Sequence, residues 1–135
     1  MTVTDPAATA SLHETVPFAA HLGIEVVAAT AEAVTGRVAW AESLCTAGGA
    51  LNGGVIMGLA DNVGGLCAYL NLPPGAAGTT TIESKTNFLR AVRSGHVTAV
   101  ARPLHAGRRV IVVETDVVDD EERLVARVTQ SQAVL

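Results

Sequence analysis

Polar and apolar residues alternate along both ends of this chain and give way in the middle to an almost unbroken apolar run. In Ala33 to Ala41, Val34, Val38 and Trp40 share one parity with Gly36 as the gap between them, while Thr35, Arg37 and Ala39 form the other face. That period of two predicts a half-buried strand, and Ile24-Glu25-Val26-Val27, after the break at Gly23, predicts another before it. From Asn52 to about Leu70 the chain is largely apolar, with Asp61 its one acid, which predicts a long helix buried all round; Leu72-Pro73-Pro74-Gly75 stops it. Alternation resumes over Thr79 to Leu89, His96 to Leu104, Val110 to Val118 and Leu124 to Val134. The turns between these strands are Arg93-Ser94-Gly95, His105-Ala106-Gly107 and Asp119-Asp120-Glu121-Glu122, and their brevity predicts consecutive antiparallel neighbours.

Ahead of the strands, Ser11 to His21 predicts a short helix with Ser11 as cap, Glu14 as its capping-box partner and Pro17 as a limit or a restart. Residues 1–10 are small and polar and are expected to be a flexible terminus, leaving a single domain over residues 11–135. The order is β, β, long helix, then four strands, an α+β chain without repeat or linker. A helix apolar on every face needs more cover than a flat sheet gives, so a strongly curved antiparallel sheet is expected to wrap it.

Composition narrows the function classes. The chain has 135 residues, enough for a core without metals or disulfides, and 49% of them are apolar. Only Phe18, Trp40, Tyr69 and Phe88 are aromatic, so Val, Ala, Leu and Ile must build that core. A net charge of −4, with no basic run, argues against a nucleic-acid partner. Cys45 and Cys67 have no zinc or CxxC spacing, and His13, His21, His96 and His105 form no metal or triad pattern. The terminus lacks a signal-peptide pattern, and the apolar run carries glycines and an acid that suit a membrane span poorly. These features lead us to expect a soluble, cytoplasmic protein with no membrane partner and neither metal nor cofactor.

The candidate chemistry lies in Leu51-Asn52-Gly53-Gly54 and the Asp61 that follows. Paired glycines at a helix start leave backbone N–H groups pointing at whatever docks there, with the positive end of the helix dipole behind them. A carboxylate among Leu59, Ala60, Val63 and Leu66 is costly unless paired or used, so Asp61 is either a hydrogen-bonded structural acid or a catalytic one.

Pro17-Phe18 with Leu22-Gly23-Ile24, Gly49-Ala50-Leu51-Asn52-Gly53-Gly54, Leu59-Ala60-Asp61, Asn87-Phe88-Leu89-Arg90 and Gly107-Arg108 occur here in one order. In this the chain resembles the hotdog fold and, within it, the PaaI-like (4-hydroxybenzoyl-CoA thioesterase-like) acyl-CoA thioesterases, from Pro17 to the C-terminus. The resemblance implies an antiparallel sheet wrapped around one long central helix, in dimers that join two sheets edge to edge, with a dimer of dimers (a homotetramer) as the expected further assembly. It implies hydrolysis of an acyl-CoA to a free acid and coenzyme A, with Asp61 as general base or nucleophile. Gly53 and Gly54 would present N–H donors to the thioester oxygen. Thr81, on the next strand, would help hold the water, with Glu83 as a weaker candidate acid. Phe88, Leu89 and Arg90, together with His105, Gly107, Arg108 and Arg109, would border the coenzyme A moiety, whose phosphates suit arginines, Arg93 included. The acyl group, aromatic or of medium length, would lie between two helices near Leu51, Met57 and Tyr69.

Two positions depart from the family's pattern. Asn52 stands where the family usually has His before the glycine pair, and Thr46 stands six residues earlier, where an Asn is common. Asn52 can donate a hydrogen bond but carries no positive charge. A non-catalytic hotdog that binds acyl-CoA is therefore the alternative reading; a dehydratase, which needs a His in the site, is disfavoured.

Spacing adds one inference. Asp61 follows Gly53 by eight residues, about 12 Å along a helix at ~1.5 Å per residue. One carbonyl cannot touch both groups of one helix. The expected site is therefore shared, with Asn52 and Gly53 from one subunit and Asp61 from its partner.

Overall fold

The computed structural model describes residues 2–135. In chain order its elements are α1 (Pro6–Thr15), α2 (Pro17–Leu22), β1 (Glu25–Ala29), β2 (Val34–Ala39), α3 (Gly53–Tyr69), β3 (Thr79–Phe88), β4 (His96–Ala106), β5 (Val110–Val118) and β6 (Leu124–Val134). The strands form one antiparallel sheet in the order β1-β2-β4-β5-β6-β3, curved over the long helix α3, and this is the hotdog architecture.

The inward face follows the alternation of the strands: Val34 and Val38 on β2, Val97, Ala99 and Ala101 on β4, Ile111, Val113 and Val117 on β5, Ala126 and Val128 on β6. Onto it α3 lays Val55, Ile56, Leu59, Ala60, Val63, Cys67 and Ala68, all buried. At Gly36 an added Cβ would stand 2.8 Å from a Val63 methyl, so the gap in the β2 pattern makes room for the helix side chain. Cys67 is fully buried, and burial pushes its thiol up from the ordinary range. Ellman's reagent should therefore leave Cys67 unmodified in the folded protein and react with it after denaturation, as peptide mass mapping would show.

Three expectations need correction. First, β3 is not the neighbour of β4: it pairs with β6 at the sheet edge, while β4 pairs with β2 and β5. Residues 89–95 span the difference, since seven residues reach about 23 Å and three inter-strand gaps need only about 14 Å. That crossover is anchored by buried Val92, whose carbonyl accepts from Leu51 N (2.9 Å). Second, α3 is not covered on every side. Sheet, α1 and α2 leave open a stripe along Gly54, Met57, Asp61 and Tyr69. Third, the first helix starts at Pro6, inside the stretch expected to be flexible. Asp5, not Ser11, is its cap, accepting from Ala8 N (3.0 Å), and Pro6 supplies a preset first helical residue. Asp5 N also donates to Val26 O (2.8 Å), which ties the helix start to β1.

Candidate active site

The N-terminus of α3 is held by the chain on either side of it. Leu51 is fixed to the crossover, and Asn52 N donates to Leu44 O (2.9 Å). Asn52 is the helix cap: its Oδ1 accepts from Gly54 N (2.7 Å). That bond occupies one of the two N–H groups expected to serve an oxyanion. Among the described residues the Gly53 N–H has no acceptor, and the Asn52 amide nitrogen is a second free donor beside it. The Phe88 ring lies over Gly53, where an added Cβ would stand 3.0 Å from it.

Two turns further along, Asp61 is exposed on the open stripe of α3, not enclosed by the core as its apolar neighbours predicted. One of its oxygens is nonetheless engaged. Oδ1 accepts from the Thr81 hydroxyl (3.3 Å) and from Gln130 Nε2 (3.1 Å). Gln132 Nε2 donates to Thr81 Oγ1 (2.7 Å), and the Thr79 hydroxyl donates to Gln132 Oε1 (3.1 Å). Among the described residues no donor reaches Oδ2. The carboxylate thus has one fixed oxygen and one presented oxygen.

Thr81 owes its place to the pairing of β3 with β6, which sets it opposite Gln132 on the inward face. A β-bulge between Thr81 and Glu83 then reverses the parity, so Glu83 pairs with Ser131 on the outward face and stands apart from the cluster. Sequence reasoning missed Gln130 and Gln132. Their signal was present: on the last strand they continue the parity of Ala126 and Val128, polar residues at positions that should face the core.

Asp61, Thr79 and Thr81 edge a cavity of about 720 Å³ between α1 and α3, whose apolar walls include Leu12, Val16, Leu66, Tyr69 and Leu70. Of the residues expected at the acyl group, Tyr69 lies on this wall. Leu51 is instead buried in the core, and Met57 lies outside the cavity.

The residues expected around coenzyme A divide into two groups. His105, Gly107, Arg108 and Arg109 line one open groove of about 620 Å³. That groove is at the Thr79 end of β3, because Arg109 O accepts from Val134 N (2.9 Å) and Val134 pairs with Thr79. Phe88 pairs with Ala126 at the opposite end, and Leu89 and Arg90 follow it, exposed, with both their N–H groups on Val125 O. Nine residue steps of strand, about 30 Å, separate the two ends. Asp61 and Thr81 go with the arginine groove; Asn52 and Gly53 go with Phe88. Among the described residues no helix is long and apolar enough to cross a membrane.

The same combination of sheet and helix occurs in known proteins. A sequence model of the thioesterase superfamily matches residues 48–126, a span that holds Asn52, Gly53, Asp61, Thr81 and the arginine turn. A relative from Haemophilus influenzae is 35% identical over 113 residues, 82% of this chain and 81% of its own. The 1,4-dihydroxy-2-naphthoyl-CoA hydrolase of Escherichia coli is 32% identical over 87 residues, 64% of this chain and 63% of the enzyme. A thioesterase structure from Pseudomonas aeruginosa superposes with a TM-score of 0.88 at 27% identity, covering 97% of this chain and 94% of that one. The PaaI protein of Escherichia coli, at 18% identity and a TM-score of 0.83, shares the fold. By its sequence and its hotdog architecture, this chain belongs to the thioesterase superfamily.

Proposed function

We propose that this protein hydrolyses acyl-CoA thioesters at a site shared between two copies of the chain. The observation that carries this reading is the Asp61 carboxylate, one oxygen pinned by Gln130 and Thr81 and the other open beside an apolar cavity. In the reaction, Asp61 Oδ2 takes a proton from water, and the water oxygen bonds to the thioester carbon. The carbonyl pair moves onto oxygen, where Gly53 N–H and the Asn52 amide of the partner copy stabilise it. Collapse breaks the C–S bond and releases coenzyme A, whose sulfur receives the proton that Asp61 took from water. Direct attack by Oδ2 through an anhydride uses the same residues.

A dimer that joins β3 edges antiparallel sets the Phe88 end of one chain against the Thr79 end of the other. Each site then gains both halves of the expected coenzyme A border. The acyl group fits the cavity between α1 and α3, and the aromatic thioester hydrolysed by the Escherichia coli relative suits its Leu, Val and Tyr walls.

Thiol release from a panel including benzoyl-CoA, 1,4-dihydroxy-2-naphthoyl-CoA and octanoyl-CoA tests the reading. Turnover of at least one is expected. Saturable binding without turnover by a folded dimer would instead establish the acyl-CoA-binding module. For the arginine groove, the double substitution Arg108→Ala, Arg109→Ala should raise KM for acyl-CoA about tenfold with little change in kcat. The KM for the matching acyl-pantetheine, which lacks the nucleotide phosphates, should stay as it is. Equal effects on both substrates would remove the arginines from coenzyme A recognition.

A further inference from the structure

We infer that Gln130 is a positioning residue that selects which Asp61 oxygen reacts, an inference that rests on reading Asp61 as the reacting carboxylate. Gln130 is fully buried on β6, a strand whose inward face is otherwise mostly apolar. Its amide makes an unbalanced set of bonds. Nε2 reaches Asp61 Oδ1 at 3.1 Å, Thr81 Oγ1 at 3.4 Å and the Asp61 carbonyl oxygen at 3.5 Å, while Oε1 is buried with no partner. Rotating the amide by half a turn would bring Oε1 against the Asp61 side-chain and main-chain oxygens, so these two acceptors fix the orientation and strand Oε1. An unpaired buried carbonyl is a cost that an apolar residue of the same length would not carry.

The helix is shaped around that stranded oxygen. Gly64, one turn from Asp61, leaves the space in which Oε1 lies, and a Cβ there would collide with it. A glycine in mid-helix and a glutamine in a valine-rich core both weaken the fold locally, and both serve the same contact. Gln130 and Thr81 hold Oδ1, and Oδ2 is left without a donor on a residue that edges the cavity. Among the described residues, α1 offers Ala8, Ser11, Leu12 and Thr15 to this cavity, β3 offers Thr79 and Thr81, and β6 offers the two glutamines to the cluster. Tyr69 is the other titratable side chain that this chain places on the wall.

The test is the steady-state kinetics of thioester hydrolysis for wild type, Gln130→Met and Gln130→Glu, with Asp61→Asn alongside. Gln130→Met should lower kcat about 10- to 100-fold with KM unchanged, since a carboxylate free to turn loses its aim. Its melting temperature should stay level or rise, as a stranded oxygen is removed; a purely structural glutamine would instead lower it and leave kcat in place. Gln130→Glu supplies a second reading should the Met variant not fold. A side chain of the same shape without the NH₂ donors cannot hold Oδ1 as the amide does, so kcat should fall with KM unchanged here too. Unchanged kcat in the Met variant, or in the Glu variant should the Met variant not fold, overturns the role of Gln130. Full activity in Asp61→Asn would instead overturn the reading of Asp61 beneath it.

Discussion

Asp61→Asn should lower kcat by about 10³-fold on any thioester that the wild-type protein hydrolyses, with the fold retained. The geometry makes this substitution unusually clean. Thr81 and Gln130 both donate to Oδ1, so the introduced amide is oriented with its oxygen in that place. Its NH₂ then occupies the position of Oδ2, and an acceptor for a proton becomes a donor. Because Asp61 is exposed and Asn keeps the Oδ1 contacts, stability should change by no more than about 0.5 kcal/mol. Thiol release, with a thermal melt on the same sample, checks both halves. Undiminished turnover would remove Asp61 from the chemistry.

Gly53→Pro should lower kcat by about 10²- to 10³-fold with the fold retained, and Gly53→Ala should not. Proline deletes one N–H and is well tolerated at the first helical position. Asn52 already has φ −61° and ψ 136°, the extended conformation that a residue before proline adopts, so the backbone need not move. The added Cβ meets only the rim of the Phe88 ring, at 3.0 Å. Alanine brings the same Cβ but keeps the N–H, so the pair separates the donor from the crowding. Equal losses in both would point to the Phe88 contact and away from an oxyanion role.

Much of the fold was legible in the sequence because alternation survives wherever one face of a strand is buried. Val34, Gly36 and Val38 mark β2, Val110 to Val118 marks β5, and Leu72-Pro73-Pro74-Gly75 marks the end of α3. The position of β3 was not legible. Its pattern says strand, but nothing in residues 89–95 distinguishes a hairpin from a crossover; the choice is made by Val92 finding the core and by β6 offering an edge.

The candidate site was legible in its residue types more than in its surroundings. Asp61 and Gly53 stand out in the apolar run, yet the open stripe was hidden because Gly54, Met57 and Gly65 read as core residues. Thr79-Thr80-Thr81 gave no register, and the bulge that sends Glu83 outward leaves no mark in composition. The two groups of coenzyme A residues looked like one border until β3 showed them at opposite ends.

That separation makes the shared site the central claim, and mixing two inactive variants tests it most directly. Asp61→Asn and Gly53→Pro are unfolded together at equal concentration, refolded and assayed for thiol release. If each site takes Gly53 from one chain and Asp61 from the other, half of the dimers formed are hybrids and each hybrid carries one intact site. The mixture should therefore recover about one quarter of wild-type activity. Activity no greater than the mean of the two variants, from material that elutes as a dimer, would contradict the account.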